Sequence, residues 1–371
     1  MGWGNIWKED KEYGTKNVKK QNFKKSSQEG FKTAIEFKKK EFQSSFYDPT
    51  NDFSERSLSF EIRVDPLTGE TSRVVPETGI EFQGREDLSD LIKESEGCFF
   101  CSENVERLTP KFKEDLIEEG RIEVGDAVLF PNLFPYGKYS AVCTFSGEHF
   151  IPVGKFTPKL MKDALIACRV YAERVHAIDE EAKYCTVNWN YLSPAGSSLM
   201  HPHLQPLIEV CPTSHHKTMI ECSRRYYDEN GSIYWEDLLN KEEKLNDRYI
   251  GRTGSVRWIT PFSPKGHYEV RGITASYDYI SLSGEEINDL AEGIIKVLQF
   301  YDSEERNSFN LSIYSGELGG GEHFLTNVRL IARSNMQKYY MNDASYLKML
   351  LDETVVSTSP EEISLRIKKF F

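Results

Sequence analysis

The chain has 371 residues, of which 39% are hydrophobic and 12% aromatic, and this is ample for a packed core. Its net charge of −12 is uneven, because residues 1–40 contain eleven Lys against five Asp or Glu. A basic arm therefore precedes an acidic body. Such a body repels polyanions, which disfavours nucleic acid as a partner.

Two further classes of protein are disfavoured. No stretch approaches the roughly 20 continuous apolar residues of a membrane span, so we expect no membrane association. The N-terminus lacks the apolar core of a signal peptide, and the seven cysteines are an odd number without regular spacing. These features favour a reducing, cytoplasmic location.

The predicted elements of the first half begin after the basic arm. Residues 58–75 alternate around the turn Asp65-Pro66-Leu67-Thr68-Gly69 and predict a hairpin. A long amphipathic helix is predicted after Thr157, which is placed to cap it, with Pro158 at its first position. Further strands are predicted at 126–130, 139–145 and 184–190.

The second half repeats this plan. Strands are predicted at 255–262 and 268–274, and Ser283 with Glu286 forms a capping box before a second long helix. FNLSIYSG then opens a last strand pair that ends at LIAR. We therefore predict an α+β fold with antiparallel sheets and one long helix in each half. The predicted divisions are the basic arm 1–54, the first half 55–211, a charged linker 212–250 with its own short helix, and the second half 251–371.

Cys98 and Cys101 are separated by two residues, a spacing that lets both sulfurs reach one metal ion. The alternative is a pair of ordinary buried thiols. A structural zinc site needs two more ligands, and among the eight histidines His149 and His201 are the best placed. The pattern predicts a zinc site of these four residues.

The segment CTVNWNYLSPAGSSLMHPHLQPLI places His201, His203 and Gln205 at alternate positions, which share one face of a β-strand. A neutral imidazole can attack phosphorus near pH 7 without a separate base, and a glutamine amide can donate to a phosphoryl oxygen. His203 and Gln205 are therefore the predicted catalytic residues. The alternative is that both are interior polar residues satisfied by hydrogen bonds.

Two loops could contact a ligand. Residues 190–198, before the histidines, are small and polar, so their N–H groups and hydroxyls could hold a diphosphate, although any turn uses such residues. The loop at 315–323 could close over a substrate or could simply be flexible.

These motifs resemble the galactose-1-phosphate uridylyltransferase family of the histidine-triad superfamily, whose signature HPHxQ matches His201–Gln205. The similarity also covers CFFC, LFPNLFP, AVCTFSGEH, WITPF and the terminal IARSNMQKYYM, and it extends from about residue 55 to the C-terminus. It implies a tandem pair of histidine-triad-like units, a homodimer, and a nucleoside-diphosphate sugar with a sugar 1-phosphate as substrates.

The resemblance assigns roles to individual residues. The nucleophile falls on His203, which would carry a nucleoside monophosphate, with UMP favoured, and Gln205 would bond to that adduct. The family's zinc ligands match Cys98, Cys101, His149 and His201, which leaves zinc or iron as the metal. The substrate-binding positions fall on Asn132, Asn190, Gly196, Ser198 and Lys338.

The chain departs from the family at several positions. Met200 stands where the transferases usually have Pro, Leu192 replaces a glycine, and Leu133 replaces an acidic residue that holds the ribose. The C-terminal segment offers only His323 for a second metal site. These departures leave the sugar and the base open. The alternatives are an ADP-sugar or dinucleotide phosphorylase that uses the same histidine, and an inactive, zinc-stabilised relative that binds RNA or protein.

Overall fold

The computed structural model describes residues 34–76, 84–337 and 342–371 of the chain. Within these ranges the protein is a mixed α+β structure with two sheets. The helices are α1 (Ser89–Glu94), α2 (Val105–Leu108), α3 (Pro158–Ile178), α4 (Ser214–Asn230), α5 (Tyr234–Leu245), α6 (Gly284–Ser303), α7 (Tyr346–Leu351) and α8 (Pro360–Ile367). None of these helices is both long and apolar enough to cross a membrane.

The smaller sheet has four strands in the order β1-β2-β3-β14. Its strands are β1 (Lys38–Asp48), β2 (Ser54–Val64), β3 (Thr71–Val74) and β14 (Thr354–Val356). The predicted hairpin is confirmed as the antiparallel pair β2–β3, and the Asp65 carboxylate accepts from the Leu67 and Thr68 amides at 2.9 Å in its turn. The predicted basic arm lies outside the described residues as far as residue 33, and its later part forms β1.

The larger sheet has ten strands in the order β4-β5-β6-β8-β7-β12-β13-β11-β10-β9 and is antiparallel throughout. Its strands are β4 (Ile122–Val124), β5 (Ala127–Pro131), β6 (Tyr139–Thr144), β7 (Tyr184–Tyr191), β8 (His203–Glu209), β9 (Tyr249–Thr253), β10 (Val256–Ile259), β11 (His267–Ile273), β12 (Phe309–Glu317) and β13 (Asn327–Ala332). The strands before the predicted linker fill one side of the sheet and those after it fill the other. They meet where β7 pairs with β12.

The two long predicted helices are confirmed as α3 and α6. The Thr157 hydroxyl accepts from the Leu160 amide, and Ser283 and Glu286 form the capping box of α6. Both helices bury an apolar face on one side of the large sheet, where Leu204 and Ile208 of β8 join the core. The alternate residues of β8, among them His203 and Gln205, therefore lie on the opposite face.

Residues 212–250, predicted as a charged linker with one short helix, contain two helices, α4 and α5. Their buried side chains include Trp235, whose indole N–H donates to Ser223 at 3.1 Å. Trp235 packs in a second core with Ile259 and Ile273 of the large sheet. Most charges of this segment lie on the outer faces of the amphipathic helices, but Glu242 is fully buried and pairs with the buried Arg248 at 2.9 Å.

Candidate active and metal site

Four side chains from three separate chain segments meet in one cluster: Cys98, Cys101, His149 and His201. Their ligand atoms all lie within 4.8 Å of one another. The two sulfurs are 3.7 Å apart, and His201 Nδ1 lies 3.6 Å from the Cys98 sulfur and 3.9 Å from the Cys101 sulfur. His149 Nδ1 lies 3.4 Å from the Cys101 sulfur. Tetrahedral zinc with its usual bond lengths separates two sulfurs by about 3.8 Å and a sulfur from a nitrogen by about 3.5 Å.

The other nitrogens of the two imidazoles are held by groups outside the cluster. His201 Nε2 lies 2.9 Å from the Ser146 carbonyl oxygen, which can only accept, so Nε2 carries the hydrogen. His149 Nε2 lies 3.0 Å from the Ser95 hydroxyl. The Nδ1 lone pair of His201 therefore faces the thiols, as metal binding requires, and Nδ1 of His149 also lies on the thiol side of its ring.

Burial shapes the protonation of this cluster. It raises the pKa of the Cys98 thiol to about 11 and lowers the pKa of His201 to about 4. A divalent cation deprotonates such thiols when it binds, and the His201 imidazole is already neutral. Two thiols and two imidazoles at these distances are a donor set that suits zinc.

His203 begins β8 next to this cluster and is buried. Its Nδ1 lies 2.9 Å from the His201 carbonyl oxygen and must donate to it, so the lone pair is on Nε2. The Phe100 ring packs edge-on against His203 with 5.3 Å between ring centroids. Burial lowers the pKa of His203, which favours the neutral imidazole.

A pocket of about 370 Å³ opens on the same face of the large sheet, across β8, β7 and β12. Gln205 lines it, two residues beyond His203. Its lining combines six uncharged polar side chains, four apolar residues and the exposed ring of Tyr136. The lining residues are Tyr136, Ser140, Asn188, Asn190, Gln205, Pro206, Leu207, Asn310, Leu311, Ser312 and Ile331.

The predicted substrate-binding residues differ in their relation to this pocket. Asn190 lines it. Gly196 follows in the next loop with a φ of +92°, a left-handed conformation that favours glycine, and a Cβ there would lie 3.7 Å from the Asn190 amide nitrogen. Ser198 is exposed in the same loop. Asn132 lies at the end of β5, 3.5 Å from the hydroxyl of the pocket residue Ser140. Lys338 lies outside the described residues.

Nine of the eleven pocket residues are absent from the predicted set, and three of them are polar residues of β7 and β12: Asn188, Asn310 and Ser312. Asn188 accepts from the Ser312 hydroxyl at 2.9 Å, and Asn310 donates to Asn190 at 2.7 Å. The signal was present, since NWN and NLS show the same alternation of polar residues that identified His203 and Gln205. It could not be used without the pairing of β7 with β12.

Comparison with known proteins gives one relative by sequence and several by structure. No known family model matches the sequence. An uncharacterized protein of Archaeoglobus fulgidus is 37% identical over 312 residues, which cover 84% of this chain and 92% of that protein.

The solved structures include an ADP-glucose phosphorylase of Arabidopsis thaliana with bound ADP-glucose. It has a TM-score of 0.66 and 16% identity and covers 84% of this chain and 98% of its own. A uridylyltransferase mutant has a TM-score of 0.62 and 20% identity, over 83% and 97% of the two chains. The chain therefore belongs to one family with the archaeal protein, and its fold is that of the galactose-1-phosphate uridylyltransferase-like proteins.

Proposed function

We propose that the protein is a nucleotidyltransferase that moves a nucleoside monophosphate, with UMP favoured, from a nucleoside-diphosphate sugar to a sugar 1-phosphate. The observation that carries this proposal is the state of His203. It is a buried, neutral imidazole with Nδ1–H held by a backbone carbonyl and an Nε2 lone pair left for attack. The uridylyltransferase-like fold agrees with this reading.

The first half of the reaction forms one bond and breaks one. Nε2 of His203 attacks the α-phosphorus, and the bond from phosphorus to the oxygen of the sugar phosphate breaks. The sugar 1-phosphate leaves with that electron pair. Nδ1 keeps its hydrogen, and its bond to the His201 carbonyl stabilises the positive charge that the imidazole gains. In the second half, a phosphate oxygen of the acceptor attacks the same phosphorus and the N–P bond breaks.

The other predicted residues take roles around this phosphorus. Gln205 would donate its amide to a phosphoryl oxygen, and Asn190 and Ser198 would contact the phosphates beside Gly196. Asn132 would lie by the nucleoside, where the ring of Tyr136 at the pocket wall could stack on the base. Lys338 would contact the substrate.

Zinc is the metal that we propose for the cluster, held by Cys98, Cys101, His149 and His201. It would act as a structural cross-link, since four protein ligands complete its coordination. His201 connects it to catalysis, because the ring of His201 belongs to the cluster and its carbonyl holds His203. We also propose that the two sides of the large sheet are copies of one histidine-triad-like unit and that the protein is a cytoplasmic homodimer. The free state of all seven cysteines agrees with a reducing compartment.

A second candidate is an ADP-sugar phosphorylase, favoured by the likeness of the fold to the ADP-glucose phosphorylase. It keeps the same His203 adduct but uses inorganic phosphate as acceptor. Analysis of the product after adding either sugar 1-phosphate or inorganic phosphate to the isolated adduct separates the two activities. A dinucleotide phosphorylase would form the adduct from a dinucleotide instead.

Intact mass spectrometry tests the shared step. The protein is incubated briefly with UDP-glucose, UDP-galactose or ADP-glucose, beside His203→Ala and the control His176→Ala, which removes a histidine outside the cluster and the pocket. We expect an acid-labile mass increase of one UMP or AMP in the wild type and the control but not in His203→Ala. Metal-loaded, folded protein that forms no adduct with any donor would refute the sugar-nucleotide proposal and favour the inactive binding protein.

A further inference from the structure

A chain of hydrogen-bonded charged and amide groups runs from Asp343 in the C-terminal segment to Asn190 and Ala195 beside the pocket. Asp343 accepts two hydrogen bonds from Arg333, at 2.6 Å from Nε and 2.5 Å from Nη2. Arg333 Nη1 donates to Asn310 Oδ1 at 2.7 Å. The amide nitrogen of Asn310 then donates to Asn190 Oδ1 at 2.7 Å and to the Ala195 carbonyl at 2.8 Å.

The donors and acceptors of this chain permit only one orientation of each amide. An arginine side chain has donors and no acceptor, so the Asn310 oxygen must face Arg333 and its NH₂ group must face Asn190. The Asn190 oxygen must in turn face Asn310. The NH₂ group of Asn190 is then left beside Gly196, as its 3.7 Å distance from a Cβ at that glycine shows.

This orientation matters because a phosphate needs donors. An Asn190 amide turned the other way would present its oxygen to the anionic phosphates, which repels them. We propose that Arg333, which does not line the pocket, is a positioning residue: through Asn310 it holds Asn190 so that the donor NH₂ group faces the phosphates of the nucleotide donor. The bond from Asn310 to the Ala195 carbonyl holds the adjoining loop in the same way.

Arg333 is well suited to this role. Its side chain is four-fifths buried, and the two bonds to Asp343 fix the plane of the guanidinium. A lysine could not form this pair of hydrogen bonds to Asp343 in a fixed plane, because its ammonium is a point charge on a flexible side chain. The inference rests on the proposed function, since it assigns Asn190 to a phosphate of the donor.

Steady-state and burst kinetics of adduct formation test the proposal with Arg333→Met, Asn310→Ala and the double variant. The matched control is Arg73→Met, which removes an arginine that also binds a C-terminal carboxylate, Glu353 at 3.0 Å, but on the small sheet. We expect Arg333→Met to raise KM for the donor roughly 10- to 100-fold, with one adduct still formed per chain. The double variant should be no worse than Asn310→Ala within about twofold, because both changes break the same chain.

Three other outcomes would contradict the role of Arg333. A reduced adduct stoichiometry with unchanged KM would mean that Arg333 only supports the fold. Losses that add in the double variant would mean that it does not act through Asn310, and a KM equal to that of Arg73→Met would remove its role altogether. In these three cases the proposed function stands. A wild type that forms no adduct with any donor would refute the proposed function and this inference together. If Arg333→Met does not fold, Asp343→Asn takes its place and should also raise KM for the donor, by a smaller factor than that expected for Arg333→Met.

Discussion

At the scale of single residues, the two histidines of the HPHLQ motif differ in which nitrogen carries the hydrogen. His201 donates from Nε2 to the Ser146 carbonyl and offers Nδ1 to the metal cluster. His203 donates from Nδ1 to the His201 carbonyl and keeps Nε2 free. The motif therefore predicts one metal ligand and one nucleophile by resemblance, but the assignment of nitrogens depends on backbone carbonyls that only the fold supplies.

A buried histidine away from the motif leads to a prediction of pH dependence. Burial lowers the pKa of His267 from 6.5 to about 4, with Arg306 and Arg333 adding repulsion and Asp343 opposing them. Between these values the unfolded chain binds a proton that the folded chain does not. Proton binding by the unfolded chain lowers the free energy of unfolding. The full stability is therefore present above pH 6.5 and is lost progressively as the pH falls towards 4. At pH 5.5 the loss is about 1.4 kcal/mol.

The measurement is the free energy of unfolding in urea at pH 7.5 and 5.5 for the wild type and His267→Gln. Other titrating groups are common to both proteins and cancel in the difference. We expect the wild type to lose about 1.3 kcal/mol more than the variant between the two pH values. Equal losses would show that His267 is protonated as easily in the folded protein as in the unfolded chain.

At the scale of elements, the helices with explicit caps were predictable and the strand without a buried face was not. Thr157-Pro158 and Ser283 with Glu286 begin α3 and α6 as predicted. By contrast, β1 has the sequence KKKEFQSSFYD, and ten of its eleven residues are exposed, so no alternation of polar and apolar residues marks it. Its strand structure comes from pairing with β2 over all eleven positions.

The cap of α6 is the local feature most open to test. The Ser283 hydroxyl accepts from the Glu286 amide at 3.1 Å, and the Glu286 carboxylate accepts from the Ser283 amide at 3.0 Å. We expect Ser283→Ala to reduce the free energy of unfolding by about 1 kcal/mol. Thr213→Ala is the matched control, because Thr213 occupies the same position before α4 without a capping hydrogen bond from its side chain. Thr213→Ala should change the free energy of unfolding by no more than about 0.5 kcal/mol. Equal effects of the two substitutions would contradict the role of the Ser283 cap.

At the scale of the whole molecule, the site is assembled from segments that are far apart in sequence. The Cys/His cluster was predictable because cysteine and histidine are scarce and their spacing is restrictive. The pocket residues Asn188 and Ser312 were not, because they are 124 residues apart and meet only through the pairing of β7 with β12. Arg333 and Asp343 were missed for the same reason. Residue types alone do not say which polar side chains share a face of a ten-stranded sheet.

The metal cluster joins three segments of the molecule: the turn at Cys98 and Cys101, the loop after β6 with His149, and the loop before β8 with His201. A cation bound there would contribute to folding, since the unfolded chain cannot hold these four side chains together. We expect the purified protein to contain about one zinc per chain, as this donor set predicts. Cys101→Ser should lose the metal and lower the midpoint of thermal unfolding by about 5 °C or more. His203→Ala, which leaves all four ligands in place, should keep both the metal and the midpoint. Elemental analysis and calorimetry of the three proteins measure the zinc content and the midpoint of unfolding.

A Cys101→Ser protein that unfolds at the wild-type temperature would mean that the cluster does not cross-link the fold. Loss of zinc in His203→Ala would mean that His203 also supports the metal site, which would contradict a separate role for it.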